Sequence, residues 1–118
     1  MTVNERDNKN VCVECLGKAQ SLSDMVEYAG GSIVSKAIVD KSVGTITIFA
    51  FDKGQKLSEH QAPYDAVVQV VDGTARLTIG PETIDVASGQ IIIMPANVPH
   101  SVSAGEKFKM LLTMIRSN

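Results

Sequence analysis

The sequence predicts a single all-β domain, a sandwich or barrel of short strands with the jelly roll among the leading options, and one short N-terminal helix. The chain has 118 residues, which suits one domain rather than two. Short segments rich in Ile, Val, Thr and Phe are separated by turn signals about every 8–12 residues. No long helical pattern alternates with these segments, which favours an antiparallel architecture over a parallel one.

We expect the chain to begin with a flexible leader over residues 1–20, followed by a barrel domain over residues 21–118. Residues 1–10 carry several charges and almost no apolar side chains. This composition is typical of a mobile terminus, because such a segment cannot bury enough apolar surface to offset the entropy lost on ordering.

The one predicted helix follows the leader. Ser21 can cap its first turn, and Asp24 stands three positions later, as in a capping box. Gly30-Gly31 ends it, since glycine tolerates the left-handed backbone found after a helix. We expect about two turns that pack against the outside of a sheet. Its apolar face consists of Leu22, Met25, Val26 and Ala29.

The strands are predicted from runs of β-branched and aromatic residues bounded by turn residues. Segment 66–71 is nearly all apolar, as expected of a strand buried on both faces. The Asp72-Gly73 pair that follows is a two-residue turn signal and predicts a hairpin. The predicted strands span residues 33–39, 45–51, 66–71, 74–79, 83–86, 90–94, 100–103 and 108–115.

Charge and hydropathy limit the partners. The formal net charge is -2 and no run of Lys and Arg is present, which disfavours nucleic-acid binding. The longest apolar runs, such as residues 91–94, are too short to cross a bilayer. Residues 1–10 lack the apolar stretch of a secretory signal. We therefore expect a cytoplasmic protein that binds neither nucleic acid nor membrane.

Two cysteines, Cys12 and Cys15, have the spacing C-x2-C. This spacing is typical of half a zinc site or of a redox pair. A structural zinc site needs four ligands, and no second pair follows in the sequence. Cytosolic chemistry keeps such thiols reduced, so plain free thiols are the favoured interpretation, with a redox handle as an alternative.

Two glycine-framed segments carry the most specific signal in the chain. The first runs from residue 54 to residue 73 and the second from residue 89 to residue 100. Together they resemble the two signature motifs of the cupin superfamily, G-x5-H-x-H-x3,4-E-x6-G and G-x5-P-x-G-x2-H-x3-N. The residues that match are Gly54, His60, Gly73, Gly89, Pro95 and His100.

The resemblance covers most of the chain, from residue 45 to about residue 115. The short stretch between the motifs, residues 74–88, is similar to that of compact single-domain bacterial members of the superfamily. The resemblance implies a double-stranded β-helix, which is the cupin jelly-roll barrel. Small members commonly pair through apolar outer faces, so the resemblance also implies a homodimer.

Four motif positions depart from the pattern. Ala62 replaces the second histidine of the first motif and Ala66 replaces its glutamate. Asn97 replaces the second glycine of the second motif and Ala104 its final asparagine. Asn97 is a tolerable exchange, because asparagine visits the left-handed backbone region more readily than most residues.

In cupins that bind metal, three histidines and one glutamate hold the ion. The resemblance therefore implies that only His60 and His100 remain of the ligand set, with one divalent transition metal weakly bound or absent. Asp65 and Glu59 each neighbour a motif position, but strand alternation turns them to the opposite face. Tyr64, two residues from Ala62, can point inward.

Three functions stay open. The first is a module that binds a small molecule in a pocket of the barrel. The second is a metal-dependent enzyme of isomerase, decarboxylase or dioxygenase type, with the metal on His60 and His100. The third is a redox sensor that uses the two cysteines. Met94, Met110 and Met114 are interpreted as core residues, or else as an adaptable lining for a ligand. The predicted pocket consists of His60, Ala62, Tyr64, Ala66 and His100.

Overall fold

The computed structural model of the protein describes residues 10–116 and folds them into two antiparallel sheets. The strands of the described part are β1 (Ile33–Lys41), β2 (Gly44–Phe51), β3 (Lys56–His60), β4 (Ala66–Asp72), β5 (Thr74–Ile79), β6 (Glu82–Ala87), β7 (Ile91–Met94), β8 (His100–Ser103) and β9 (Phe108–Ile115). The first sheet has the strand order β1-β2-β9-β4-β7, and the second has the order β3-β8-β5-β6. The predicted all-β jelly-roll fold is confirmed.

The main core lies between the two sheets. Side chains alternate along each strand, so every second residue points into this space. At one end, the rings of Phe51 and Phe108 stack with centroids 4.6 Å apart and planes inclined by 12°. Both side chains are fully buried. The opposite end of the core lies near Met114, at the C-terminal end of β9. It contains no buried aromatic side chain, and a cavity is found there.

A second, smaller core covers part of the outer face of the first sheet. Val26 is buried there against Ile48 and Ala50 of β2. Lys109 of β9 also links the sheet to this segment, because its ammonium donates a hydrogen bond to the backbone carbonyl of Ser23. The segment before β1 therefore packs against the outside of a sheet, as the sequence predicted.

The predicted two-turn helix in this segment is wrong in type. The structure has only short 3-10 turns, Val13–Cys15 and Leu22–Met25. Ser21 makes no capping bond with its side chain, and Val26 is already extended, with φ of -141°. A helix this short is marginal by itself, so tertiary contacts decide its conformation. Here the Tyr28 hydroxyl donates to the Asp72 carboxylate at 2.6 Å and draws the chain along the sheet.

The predicted hairpin at Asp72-Gly73 is also wrong. β4 and β5 lie in different sheets and do not pair, so these two residues form a corner between the layers. Gly73 has φ of +72°, and a Cβ atom placed on it would lie 2.5 Å from the carbonyl oxygen of Lys107. The glycine therefore serves a close backbone approach as well as a turn.

Two further differences concern the strands. β3 was not among the predicted strands, because Lys56–His60 has one apolar residue and lacks a clear alternation. β4 is buried on its inner face but not fully on the other, where Gln69 is exposed and Val67 and Val71 are half-buried. An almost continuous apolar run therefore does not imply burial on both faces.

The predicted leader lies partly outside the described residues, which begin at residue 10. In its described part, Val11 forms an isolated antiparallel bridge with Val39. The Lys36 ammonium pairs with the Glu14 carboxylate at 2.7 Å. The flexibility of residues 1–20 stays a prediction. Within residues 10–116, no helix has the length and apolar character needed to span a bilayer.

Substitution of Gly73 by alanine should destabilise the fold more than substitution of Gly89. Both glycines have positive φ, +72° and +89°, but a Cβ on Gly89 would meet nothing within 4 Å. Gly89→Ala should therefore cost about 1–2 kcal/mol of unfolding free energy from backbone strain alone, and Gly73→Ala should cost clearly more. Urea unfolding of the two variants measures this difference. Equal losses of unfolding free energy in the two variants would mean that the close approach of Gly73 to Lys107 does not add to the cost of the substitution.

Candidate ligand-binding site

Two histidines meet at the centre of the candidate site because of strand register. β3 pairs with β8 so that His60 lies directly opposite His100. Side chains of directly opposed residues in an antiparallel pair point to the same face. The two Nε2 atoms are 3.1 Å apart, and the ring centroids are 4.3 Å apart with planes inclined by 73°. Residues separated by 40 positions in the chain therefore share one point.

Each ring is oriented by a backbone carbonyl through its other nitrogen. His60 Nδ1 lies 2.9 Å from the carbonyl oxygen of Ser58. His100 Nδ1 lies 3.2 Å from the carbonyl oxygen of Val98. A carbonyl only accepts hydrogen bonds, so each of these contacts is a hydrogen bond in the tautomer that carries its hydrogen on Nδ1. In a neutral ring of this tautomer, Nε2 is an acceptor.

This arrangement leaves two acceptors facing each other. Two neutral rings would place the lone pair of His60 Nε2 against that of His100 Nε2 at 3.1 Å. The contact becomes favourable when a proton or a metal ion lies between the nitrogens, or when a ligand donates to them. The local geometry therefore creates a demand for a hydrogen-bond donor or a cation at this point.

The two rings differ in exposure. His100 is only 4% exposed, whereas His60 is open to solvent. Burial lowers the pKa of His100 below its ordinary value, and the nearby His60 ring lowers it further. The bond to Val98 acts in the opposite direction and does not reverse the shift. The His100 ring therefore resists a positive charge.

The histidines form the polar end of a cavity of about 300 Å³ between the sheets. On the side of the second sheet, Leu57 of β3 lies opposite Val102 of β8, and a register irregularity separates this pair from the two histidines. On the side of the first sheet the wall is apolar. The remaining lining residues are Gln61, Ala62, Tyr64, Ala66, Met94, Met110, Leu112 and Met114.

The alanine at the family's glutamate position stands in a row of methionines. Ala66 of β4 is opposite Met94 of β7 on one side and Met114 of β9 on the other. All three point inward to the cavity. A small side chain between two long, unbranched ones leaves free volume beside flexible thioethers. The methionines thus belong both to the core and to the cavity wall.

Two loops hold the open end of the cavity. The backbone N–H of Asn97 donates to the carbonyl of Ala62 at 2.7 Å. Asn97 has φ of +63°, the left-handed conformation expected for it from the sequence. The N–H of Ala96 donates to the Asp65 carboxylate at 2.8 Å. Asp65 therefore ties the two loops together on the outer side, and half-buried Tyr64 lies between them and the cavity.

Acidic residues and cysteines do not join the histidines. Among residues 10–116, no three side chains of His, Cys, Asp or Glu come together in a way that could hold a metal ion. Cys12 and Cys15 are free thiols on the 3-10 turn outside the sheet. Burial raises the pKa of the Cys15 thiol, and Cys12 adds to the shift. A raised pKa decreases the reactive thiolate fraction, which argues against a redox pair.

All five residues of the sequence-predicted pocket line this one cavity. Of the apolar wall, the sequence offered Met94, Met110 and Met114 only as an alternative lining, and it did not include Leu57, Val102 and Leu112. Alternation along residues 110–114 was the available signal, because Met110, Leu112 and Met114 share one face of that strand. That signal identifies an inward face, but only the sheet packing decides whether such a face fills the core or borders a cavity.

Comparison with known proteins points to one family. Residues 47–116 match the model of the cupin domain. The chain is 39% identical to a conserved protein of unknown function from Streptococcus pyogenes, covering 86% of this chain and 89% of that one with a TM-score of 0.82. It is 41% identical to a cupin 2 conserved barrel domain protein from Leptotrichia buccalis, covering 80% of this chain and 46% of that one with a TM-score of 0.77.

One curated protein is similar to part of the chain. An uncharacterized protein from Streptomyces coelicolor is 38% identical over 56 residues, which are 48% of this chain and 53% of that protein. The match thus spans about half the length of this relative. These similarities support the fold and the family, and none of them names a ligand.

Substitution of His100 by glutamine should flatten the acid dependence of stability. Because burial lowers the pKa of His100, the unfolded chain takes up a proton at acid pH that the folded chain resists. The free energy of unfolding should therefore fall as the pH drops below about 6.5 and be unaffected by this group above that value. Urea unfolding from about pH 5 to pH 8 in EDTA measures this effect.

His60→Gln is the matched control for this measurement. It leaves His100 buried and so should retain most of the pH dependence, since burial is the larger cause of the shift. Parallel losses in the wild type and the His100→Gln variant would contradict the assignment of this dependence to His100.

Proposed function

The chain belongs to the cupin domain family, and on this premise we propose that it binds a small, mostly apolar molecule in the cavity between its sheets. A family of this kind hosts many activities on one fold, so the residues of the site determine the function. The single observation that carries the proposal is the pair of facing Nε2 atoms of His60 and His100, 3.1 Å apart, at one end of an apolar cavity.

The cavity has the chemistry of a ligand site. Its volume of about 300 Å³ stands at the lower end of the range for small-molecule pockets. Such pockets combine apolar walls with a few convergent polar groups that orient the ligand. Here the walls are aliphatic and thioether side chains, and the two imidazoles supply the convergent polar atoms. The ligand is therefore small and carries few polar groups.

The tautomers indicate which polar group the ligand carries. Both Nδ1 atoms are committed to backbone carbonyls, so neutral His60 and His100 offer acceptors toward the cavity. A ligand with an acidic O–H, such as a phenol or a carboxylic acid, supplies the missing donor. The O–H donates to one Nε2 and satisfies one of the two facing lone pairs, whereas a ligand without a donor leaves both unsatisfied. We therefore expect an apolar body with one acidic hydroxyl.

The other residues position the ligand body. Met94, Met110 and Met114 can change rotamer to fit different shapes, because the unbranched thioether side chain is flexible. Ala62 and Ala66 leave space where the family pattern has a histidine and a glutamate. The exclusion of water by the apolar wall strengthens each hydrogen bond that His100 makes.

The second candidate is a metal-dependent enzyme, and a specific observation favours it. Imidazoles that ligate a metal usually donate their other ring nitrogen to a backbone carbonyl or carboxylate, as both His60 and His100 do. Zn–N bonds of about 2.0–2.1 Å at ordinary ligand angles separate two nitrogens by roughly 2.8–3.4 Å. The observed 3.1 Å lies within this interval.

The residues present supply half of the family's ligand set. A divalent ion would be held by His60 and His100, with its other positions left to solvent or substrate. When bound, it would act as a Lewis acid toward a substrate oxygen, as isomerase, decarboxylase or dioxygenase chemistry requires. Positions 62 and 66 carry methyl groups, so the chain's own residues do not complete the set. For this reason we place the metal-free binder first.

Phenol should bind more tightly than anisole, which has the same ring but no hydroxyl donor. In EDTA buffer, NMR titration should shift the resonances of Ala62, Ala66 and Val102 with phenol. We expect an advantage of about tenfold for phenol, the effect of one hydrogen bond to an otherwise unsatisfied acceptor pair. In the double variant His60→Leu/His100→Leu this advantage should disappear while anisole still binds.

Ala62→Leu should weaken both probes, because the added side chain occupies the cavity mouth. Ala87→Leu, at the exposed end of β6, is the matched control and should bind as the wild type does. If phenol shifts only surface resonances far from β3 and β8, or if neither probe binds at millimolar concentration, the proposed function is wrong.

Purification without chelator, followed by elemental analysis, tests the metal-dependent alternative. An equimolar divalent metal that is absent from the His60→Ala/His100→Ala variant would favour the enzyme. Calorimetric titration with Zn²⁺ provides the second readout, and weak binding is expected from two imidazoles alone. Metal that stays bound in the double variant would exclude these histidines as its ligands.

A further inference from the structure

Three sulfur atoms lie close together in the segment that covers the outer face of the first sheet. Cys12 precedes and Cys15 ends the first 3-10 turn, and Met25 ends the second. Cys15 Sγ is 3.9 Å from Met25 Sδ. Burial raises the pKa of the Cys15 thiol, and the adjacent Cys12 thiol raises it further by hydrogen bonding and by charge. Two thiols and a thioether therefore share one place outside the barrel.

The local backbone brings the two cysteines to one side of the chain. Around a 3-10 turn, side chains three positions apart eclipse each other, and this is the spacing of Cys12 and Cys15. The N–H of Cys15 closes the turn by donating to the carbonyl of Cys12 at 3.0 Å. The N–H of Cys12 donates to the carbonyl of Ile38 in β1 at 2.7 Å. The turn is therefore anchored to the edge of the first sheet.

Met25 reaches the same place from a separate anchor. Its half-buried side chain packs against the cluster of Val26 and Ile48 on the outer face of the sheet. The side-chain amide of Gln20 donates to the carbonyl of Glu14 at 2.7 Å and ties together the ends of the loop between the two turns. Packing and backbone bonds thus hold the three sulfurs in place, which reduces the conformational entropy lost when they bind a ligand.

We propose that Cys12, Cys15 and Met25 form a binding site for a soft monovalent metal ion, Cu(I), separate from the cavity and independent of the proposed function. Thiolate and thioether sulfurs are ligands that select Cu(I). Metal–sulfur bonds of about 2.3 Å, at angles between tetrahedral and trigonal, separate two sulfurs by roughly 3.8–4.0 Å. The observed 3.9 Å between the sulfurs of Cys15 and Met25 lies within this interval.

The donor set is poorly suited to a divalent ion. Zn²⁺ takes four ligands from thiolate, imidazole and carboxylate groups. Within residues 10–116, no third group of these types joins the two cysteines to hold a metal ion. The nearby Glu14 carboxylate is paired with the Lys36 ammonium at 2.7 Å. A thioether completes the set instead, and this favours the softer ion.

Binding exchanges protons for the metal without a change of oxidation state. Both thiols release their S–H protons to solvent, and two thiolates and one neutral thioether then hold the ion. The loaded site carries a net negative charge. Burial, the largest influence on Cys15, raises the pKa of its thiol, but the Lys36 ammonium acts in the opposite direction. The same ammonium compensates the charge of the loaded site.

NMR of the full chain with carbon-13-labelled methionine methyl groups tests the site, in anaerobic buffer after reduction of the thiols. Ag(I) is the probe, because it shares the charge and the sulfur preference of Cu(I) and does not change oxidation state. One equivalent should move the methyl resonance of Met25, which the Met25→Leu variant assigns. The resonances of Met94, Met110 and Met114 should stay in place. These methionines line the cavity, so they report any binding at the two histidines.

Competition with a chromophoric Cu(I) chelator measures the affinity of each variant. Met25→Leu nearly conserves side-chain volume and should weaken Cu(I) binding at least about tenfold, since even the outer partners of a metal ligand contribute that much. Met94→Leu is the matched control and should bind Cu(I) as the wild type does. Cys12→Ser and Cys15→Ser should each lose the tight site, whereas the double histidine variant should retain it. Circular dichroism checks that every variant is folded.

Equal Cu(I) affinities of the wild type and Met25→Leu overturn the proposal, because the cysteines alone then hold the ion. A shift of the cavity methionines in place of Met25 assigns the metal to the histidines and also overturns it. So does a Cys12–Cys15 disulfide in the isolated protein, if the reduced thiols bind Ag(I) no better than the serine variants. Phenol binding enters none of these outcomes, so failure of the proposed function leaves this test unaffected.

Discussion

One layer of inward-facing side chains packed between two antiparallel sheets is the constraint on which the rest of this structure depends. Strand alternation sends every second residue into that layer. Phe51 and Phe108 stack at one end and fill it. At the other end the layer is made of Ala66 and the methionines beside it, which leave a cavity. Uneven filling of one core thus produces both the stability of the barrel and the space for a ligand.

The polar chemistry of the cavity is set by the backbone and not by acidic partners. Carbonyl groups of Ser58 and Val98 determine which nitrogen of each ring carries a hydrogen. This leaves His60 and His100 with unsatisfied acceptors at the same point. A divalent ion can bind both acceptors, whereas an acidic hydroxyl donates its one proton to one of them. The alanines at positions 62 and 66 distinguish the two, because they remove ligands for a metal and add volume for an organic molecule.

The outer surface of the first sheet follows the same physical rule as its inner one. Aliphatic side chains on a sheet face favour removal from water, and this chain covers part of that face with the segment around Val26. That packing holds the segment in an extended form and overrides its weak helical tendency. The uncovered part, around Ile115, remains apolar surface in contact with water. Since Tyr64 borders both this face and the cavity, the two surfaces are physically connected.

The sequence alone determined the class of the fold, most of the strands and the position of the two histidines in the family pattern. It succeeded because alternation and turn residues are local signals, and because Asn97 could be assigned a left-handed backbone from its own side chain. Only the tertiary structure decided that Asp72-Gly73 turns between sheets and that β3 exists at all. It also placed Met94, Met110 and Met114 at a cavity, which the sequence had left as an alternative to a filled core. Each of these features depends on which strands become neighbours, and contacts between residues far apart in the chain leave no local pattern to read.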